Sequence, residues 1–376
     1  MNIAIYDHSY HQVTSGGDVI AAEFGQQWQR IGHTVYFATH KKARDFFLSR
    51  GIHPTRITTY EYIPDMFLSV LWASIIHTLN GIISAISHTQ KNIDIIFASS
   101  CMYEDLFPAL IAKAWNRKAK LIVGIYLFPL PPWSKSYGSN MVHRYIFWGM
   151  YHSGILLSRL FAHQIWCAND IDARRLRAQG KSAIAIRGGI DLTLAANAKS
   201  QKITYDALCL GRFHPQKNPI ELIRIWKKVT DTLPKARLAL CGAGFLEHEI
   251  RNEIMRLRLK NSVHILPPQD GQQKFNLYSS TKLFLSSAHF DTGNLALDEA
   301  LACGVPAVLY DTRYQHYDKG VASVPCFSLY SFAEKVVSLL TDEDERRELS
   351  HHAREFAYGF SWNIQAKRAL DSISIQ

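Results

Sequence analysis

A chain of 376 residues is too long for one ordinary hydrophobic core and suits two domains of about 100–200 residues each. Hydrophobic residues at 47% and charged residues at 20% exclude a disordered or fibrous chain. Lys and Arg number 42 against 32 Asp and Glu, a surplus of +10 that favours anionic partners without choosing among nucleotides, phospholipid headgroups and nucleic acid.

Short apolar runs alternate with helical patterns from the first residue. Ile3–Tyr6 reads as a strand, Ala21–Ile31 as a helix, Thr34–Ala38 as a strand, 66–87 as a helix and Ile93–Ala98 as a strand. Helix is expected at Ala109–Trp115, strand at Lys120–Ile125, a long apolar helix at Val142–Phe161, then strands at Gln164–Cys167 and Ala183–Ile186. Asp191–Lys202 is polar and rich in small residues, as a linker requires, so a domain boundary is expected near 198.

The rhythm then repeats. Strands are expected at Tyr205–Leu210, Ala236–Cys241, Val263–Leu266, Leu283–Ser286 and Ala307–Tyr310. Helices are expected between them at Pro219–Leu233, Leu246–Leu259, Gln272–Ser279 and Leu297–Cys303. The fold class is α/β, with two doubly wound, Rossmann-like domains.

Met66–Ser87 carries no formal charge and has nearly the length of a membrane span. Its pattern is amphipathic, with Leu68, Trp72, Ile75, Ile76, Leu79, Ile83 and Ile86 on one face and Ser69, His77, Asn80, Ser84 and Ser87 on the other, so a buried or interfacial helix is expected. The six cysteines stand singly, which argues against a zinc site or a disulfide framework and favours a reducing cytoplasm. The first residues run straight into a strand, and no secretion signal is expected.

Ligands of open parallel sheets bind beyond the carboxyl ends of strands, where glycine turns free backbone N–H groups. Five such turns occur: Ser15-Gly16-Gly17, Arg187–Asp191, Gly211–Lys217, Gly242-Ala243-Gly244 and the region from Asp291 to Gly304. Arg212 and Lys217, five residues apart, open a helix after a buried strand. Arg can form two parallel hydrogen bonds to phosphate oxygens and Lys adds a compact charge, a pairing suited to a diphosphate whose charge rises as it leaves. Asp291 lies in a loop, and Glu299 follows it on a helix that stops at Gly304. Carboxylates beside a nucleotide accept hydrogen bonds from sugar hydroxyls. There is no His/carboxylate cluster at metal-ligand spacing, and no metal is expected.

These motifs together resemble a GT-B glycosyltransferase of the large retaining group called glycosyltransferase family 4, or group 1, over nearly the whole chain. Ser15-Gly16-Gly17 with Gly32-His33 is similar to that family's N-terminal glycine loop, and Gly188-Gly189-Ile190-Asp191 to its Asn-Gly-Val-Asp turn. Gly211-Arg212 with Lys217 resembles its diphosphate-binding pair, and Cys241-Gly-Ala-Gly244 its glycine turn in the nucleotide domain. Glu299–Pro306 resembles the second half of its Glu-x7-Glu signature. Three departures stand out: Asp291 occupies the first signature carboxylate, Thr292-Gly293-Asn294 replaces Gly-Phe-Gly, and Tyr126 stands where a His often follows a strand. Tyr is a poor base near neutral pH.

The resemblance implies two domains facing across a cleft: 1–198 on the acceptor side, 199–358 binding the nucleotide sugar, and a helix at 359–376 returning to the first domain. It implies hexosyl transfer with retention, no metal and no cofactor beyond the nucleotide-diphosphate sugar itself, carrying UDP or GDP. Arg212 and Lys217, with Asp291, would be catalytic. Gly16, Gly17, Gly211, Gly242, Gly244, Pro267, Gly293, Asn294, Leu295 and Glu299 would line the donor and acceptor sites, Glu299 on the ribose and backbone near Pro267 on the base. The alternative reading is a non-catalytic GT-B protein that binds nucleotide sugar or glycan.

Aromatic residues at Tyr126–Trp133 and Tyr145–Tyr151, near Lys135, His143 and Arg144, suit the headgroup zone of a membrane, where a lipid-linked acceptor waits. The competing expectation is that Tyr145, Trp148, Tyr151 and Ile155 form a core stripe. A cytoplasmic protein at the inner face of an anionic membrane, making surface polysaccharide or glycolipid, is expected. No nucleic-acid-binding motif is seen, and nucleic acid is not expected as a partner.

Overall fold

The computed structural model describes residues 1–8, 16–53, 57–60, 70–88, 90–134, 141–198, 203–312, 320–325 and 327–374. Contacts divide the chain into two compact units, one running to Gly189 and taking up Trp362 onward, the other holding Ile190–Ser361. The short stretch Leu192–Ala196, linker-like in composition, is helical because the Asp191 carboxylate accepts from the backbone N–H groups of Thr193 and Leu194. The segment 199–202 lies outside the described residues.

The first unit runs β1 (Asn2–Tyr6), α1 (Gly16–Arg30), β2 (Thr34–His40), α2 (Arg44–Ser49), β3 (Ile57–Tyr60), α3 (Val70–His88), β4 (Ile95–Ala98), α4 (Tyr103–Trp115) and β5 (Lys120–Ile125). It continues with α5 (Met141–Phe161), β6 (Gln164–Cys167), α6 (Asp170–Arg177) and β7 (Ala183–Ala185). Among the described residues seven strands form one parallel sheet in the order β3-β2-β1-β4-β5-β6-β7. Strands such as β4 and β6 are buried at every position, which is why they read as unbroken apolar runs.

The second unit runs α7 (Leu192–Ala196), β8 (Tyr205–Leu210), α8 (Pro219–Thr232), β9 (Leu238–Cys241), α9 (Glu247–Arg256), β10 (Val263–Leu266), α10 (Gly271–Ser279) and β11 (Thr281–Ser286). It closes with α11 (Leu295–Ala302), β12 (Ala307–Tyr310), β13 (Val321–Val324), α12 (Leu329–Thr341) and α13 (Glu343–Tyr358). Its parallel sheet has the order β10-β9-β8-β11-β12-β13. Leu222, Ile225 and Trp226 of α8 cover one face against Leu283, Leu285 and Val308, while Leu297 and Leu301 of α11 cover the other against Leu208 and Phe284. The last helix, α14 (Trp362–Ser374), packs on the first unit. Trp28 Nε1 donates to the Ala366 carbonyl at 2.9 Å, and the Phe24 and Trp362 rings meet edge to face.

Both sheets have one place where neighbouring strands send their chains to opposite sides, between β1 and β4 in the first and between β8 and β11 in the second. Such switch points open a crevice beyond the strand ends.

The amphipathic expectation for 66–87 holds over the described part, α3, while 66–69 lie outside it. The inward face is the polar one. Ser74, His77, Thr78, Gly81, Ser84 and Ala85 are buried, whereas Trp72, Leu79, Ile83 and Ile86 are 53–60% exposed. Packing on α4 is tightest at Gly81, where a Cβ would stand 2.7 Å from Pro108 Cγ and no larger residue fits. In α5, Tyr151 and Ile155 join the core while Tyr145 is exposed, so the aromatic stripe divides between the two expectations. Lys135 lies outside the described residues. Among the described residues no helix is long and apolar enough to cross a membrane.

Under α3, the Asp105 carboxylate accepts from the His8 backbone N–H (2.7 Å) and from the Ser99 and Ser100 hydroxyls (3.0 and 2.5 Å). Glu104 accepts from the Ser74 hydroxyl at 3.1 Å. Burial, then the charge of Asp105, pushes the Glu104 carboxyl up to about 7. A carboxyl raised in the fold keeps its proton there, so stability is greatest below the ordinary value of 4.5 and declines as pH rises toward 7. Glu104→Gln is therefore expected to stabilise the protein at pH 8, on the order of 1–2 kcal/mol, and to change little at pH 4.5. Thermal melts at the two pH values check this; equal shifts at both would mean that Glu104 ionises normally.

Candidate active site

At the β8/β11 switch point, Gly211–Lys217 leaves β8 and Ser287–Asn294 leaves β11, and hydrogen bonds hold the two segments together. Ser287 Oγ donates to the Asn218 carbonyl at 2.9 Å, and Gln216 Nε2 donates to the Phe290 carbonyl at 3.3 Å. Lys217 Nζ forms an ion pair with the Asp291 carboxylate, which is almost wholly buried. Asp291 also accepts from the Thr292 N–H at 3.1 Å. The cation and the carboxylate singled out from sequence thus meet across the crevice. Arg212 is exposed on the same turn, and its guanidinium has no ion-pair partner among the described residues.

His214, between them, has its pKa lowered to about 4, first by burial and then by the charges of Arg212 and Lys217. Its Nδ1 accepts from the Gln216 N–H at 3.1 Å, as a neutral ring must to cap the following turn.

A second layer escaped the sequence reading. Glu221, in the first turn of α8, accepts from the Tyr310 hydroxyl at 2.5 Å and the Asn218 amide at 2.9 Å, and its Oε1 lies 3.1 Å from His289 Nε2. Burial raises the Glu221 pKa, but the hydrogen bonds from His289, Tyr310 and Asn218 outweigh it, and the net direction is down. The network ties α8, β12 and the Ser287–Asp291 loop behind the Lys217–Asp291 pair. Only the spacing of Asn218 and Glu221 at a helix start hinted at it.

Glu299, on α11, accepts from Lys274 Nζ at 2.6 Å and from the Tyr278 hydroxyl at 3.0 Å. Both partners come from α10, one turn apart, and the i, i+4 spacing of Lys274 and Tyr278 was the available signal. Burial, then the Glu299 charge, holds the Tyr278 hydroxyl well above its ordinary range, so it stays a donor.

The glycines divide by role. A Cβ on Gly242 would lie 2.0 Å from the Gly211 carbonyl oxygen, and one on Gly244 2.5 Å from that of Phe213. These two residues let the turn after β9 press on the turn after β8, where Phe213 N–H donates to the Ala243 carbonyl at 2.9 Å. Gly211 faces open space. Asn294 caps α11, its side chain accepting from the Leu297 N–H at 3.2 Å, with Gly293 exposed before it and Leu295 half-buried after it. The Pro267 carbonyl accepts from Cys241 Sγ and from Gln269 Nε2, both at 3.3 Å.

Gly16 and Gly17 are the first two residues of α1 in the first unit, and Ser15 lies outside the described residues. Tyr126 is half-buried, and burial, then the Cys167 and Asp7 charges, drives its hydroxyl further above neutral pH.

Among the described residues no group of three His, Cys, Asp or Glu side chains is placed to hold a metal. Asp-x-Asp occurs twice in the chain, and each copy serves a helix start: Asp172 accepts from the Asn169 amide, and Asp342 caps α13. A cavity of about 530 Å³ in the second unit lies beside Cys303, Gly304 and Arg354, and none of the expected site residues lines it.

The fold is GT-B. Residues 195–356 match the model of the family described as glycosyl transferases group 1. The poly(glycerol-phosphate) alpha-glucosyltransferase of Bacillus subtilis is 27% identical over 175 residues, which are 44% of this chain and 25% of that protein. The D-inositol 3-phosphate glycosyltransferase of Saccharomonospora viridis is 26% identical over 206 residues, 49% of this chain and 48% of its own. The chain thus spans between a quarter and a half of these curated relatives. Among solved structures, Anabaena HepE with UDP and glucose superposes with a TM-score of 0.74 at 14% identity, covering 100% of both chains. The sucrose-phosphate synthase of Thermosynechococcus elongatus gives 0.79 at 14%, covering 98% of this chain and 97% of that one.

Proposed function

We propose that the protein is a retaining glycosyltransferase that moves a hexosyl group from a UDP-sugar to a glycan or a lipid-linked acceptor, in surface polysaccharide or glycolipid synthesis. The observation that carries this is the meeting of Lys217 and Asp291 beside the exposed Arg212 at the β8/β11 switch point. Two cations at a strand end are suited to a diphosphate that gains charge as the bond to the sugar breaks. Glu299, anchored by Lys274 and Tyr278, keeps acceptor capacity for ribose hydroxyls. UDP is preferred to GDP because similar folds were solved with UDP. Retention rests on the resemblance to the family alone. Cytoplasmic work at the inner face of an anionic membrane belongs to the same proposal.

The test is a thermal-shift series with UDP, GDP, ADP and their sugars, followed by turnover in excess EDTA. A nucleotide that binds only the folded state raises the melting temperature. UDP and a UDP-sugar are expected to do so, and activity is expected to survive EDTA because Arg212 and Lys217 supply the countercharge. Loss of activity that magnesium restores would overturn metal independence. Nucleotide binding with no turnover on any acceptor would favour the non-catalytic reading.

A further inference from the structure

The direction of Lys217 is set by the residue that follows it. Asn218 stands at φ 52° and ψ 49°, a left-handed conformation between the single turn Pro215–Lys217 and the proline that opens α8. Asn tolerates that region better than most side chains, but a residue before proline is pushed toward extended backbone, so the conformation must be held by its surroundings. Two hydrogen bonds hold it. The Asn218 carbonyl accepts from Ser287 Oγ at 2.9 Å, and its side-chain amide donates to Glu221 Oε2 at 2.9 Å.

Glu221 reaches the other arm of the crevice as well. Its Oε1 accepts from the Tyr310 hydroxyl at 2.5 Å and lies 3.1 Å from Nε2 of His289, two residues before Asp291. The same His289 nitrogen lies 3.0 Å from the Asn218 amide, so carboxylate, imidazole and amide close a triangle. Tyr310 is its fixed post: it ends β12, is 1% exposed, and packs its ring edge to face on Phe332 with centroids 5.1 Å apart. With both oxygens engaged and its pKa held below the usual range, the Glu221 carboxylate stays charged at neutral pH. One charged group thus grips the residue after Lys217 and the residue two before Asp291.

We propose that Glu221, anchored by Tyr310, is a positioning residue for sugar transfer, fixing where Lys217 and Asp291 stand before the donor arrives. The proposal rests on the reading of that pair as donor-binding groups and adds two residues that act on it through Asn218 and His289. As the bond from the anomeric carbon to the diphosphate oxygen breaks, its electron pair stays on UDP, and a cation already in place stabilises that charge without rearranging. Lys carries its ammonium on a flexible stem, so a Lys217 released from this turn still meets a bound diphosphate but is no longer fixed for the breaking bond. Loss of Glu221 is therefore felt in kcat far more than in UDP affinity.

The experiment pairs UDP calorimetry with UDP release from whichever UDP-sugar raises the melting temperature most, on variants whose own melting temperatures are measured alongside. Glu221→Gln keeps the shape and removes the charge; it is expected to lower kcat about 10- to 100-fold while the UDP Kd changes less than about threefold. Tyr310→Phe removes only the hydroxyl and is expected to give a smaller loss of the same kind, which keeps the proposal testable should Glu221→Gln misfold. In a Lys217→Ala background Glu221→Gln is expected to cost much less than in wild type, because its effect passes through Lys217. A folded Glu221→Gln variant with wild-type kcat would overturn the proposal. So would a UDP Kd that weakens in step with the fall in kcat, which marks uniform binding, or an equal loss in both backgrounds, which makes Glu221 a brace for the whole domain. Wild type that binds no nucleotide, or that binds UDP but releases none from any UDP-sugar, would instead remove the glycosyltransferase reading, and with it the reaction that this positioning serves.

Discussion

Replacing Arg212 or Lys217 by Ala is expected to lower kcat with the true donor by roughly 30- to 1000-fold, the range for losing one preorganised stabiliser of about 2–4 kcal/mol. The two variants differ in what else they disturb. Arg212 is exposed and lacks an ion-pair partner among the described residues, so its loss is expected to leave the melting temperature nearly unchanged. Lys217 neutralises the buried Asp291, and its removal strands a carboxylate whose remaining hydrogen bond among the described residues is from the Thr292 N–H. Lys217→Ala therefore lowers stability as well as turnover. Lys217→Ala/Asp291→Ala is expected to recover stability but not turnover, which separates the pair's structural part from its chemical part. Steady-state kinetics beside thermal melts check all three, and near-normal turnover in the Arg212→Ala variant would remove the diphosphate role.

Much of the fold was legible because parallel strands buried on both faces read as apolar runs: β4, β5, β6 and β12 fall where those runs predict them. Some elements that escaped notice bury little apolar surface, although α12, which buries Phe332, Ala333, Val336 and Leu339, is not one of them. α13 is heavily charged and buries only Ala353 and Ala357, and the eight residues of α6 carry five charges and bury Asp172, Ala173 and Leu176. The helix expected at Ala109–Trp115 begins at Tyr103, with Pro108 inside it. In α3 periodicity found the element, but the inward face was set by how near α4 comes, a property of two segments together. At the site, Gly211, Arg212, Lys217, Gly242, Gly244 and Asp291 stood out because they follow strands, whereas Glu299, on α11, stood out through the resemblance of Glu299–Pro306 to the family signature. Glu221, His289, Tyr310, Lys274 and Tyr278 come from separate elements, and their meeting depends on the sheet order and helix placement.

Glu299→Ala is expected to weaken UDP binding by about 1.5–3 kcal/mol, the range for hydrogen bonds to a charged group, which is roughly 10- to 150-fold in Kd. A carboxylate offers about four acceptor positions, and Lys274 and Tyr278 use two of them, one on each oxygen. The remaining positions match the two adjacent hydroxyls of a ribose. A 2′-deoxy nucleotide is therefore expected to bind wild type several-fold more weakly than UDP but to bind Glu299→Ala about equally, because the variant has no acceptor left to lose. Lys274→Met offers the complementary test. It removes the cation that orients Glu299, so the carboxylate keeps its charge but loses its fixed direction, and discrimination between ribose and deoxyribose is expected to shrink while some affinity remains. Calorimetry on the four combinations of Glu299 and Lys274 gives their coupling directly. If Glu299→Ala leaves UDP affinity unchanged while lowering the melting temperature, its partners on α10 are its whole role, a clasp between α10 and α11, and the ribose must be held elsewhere.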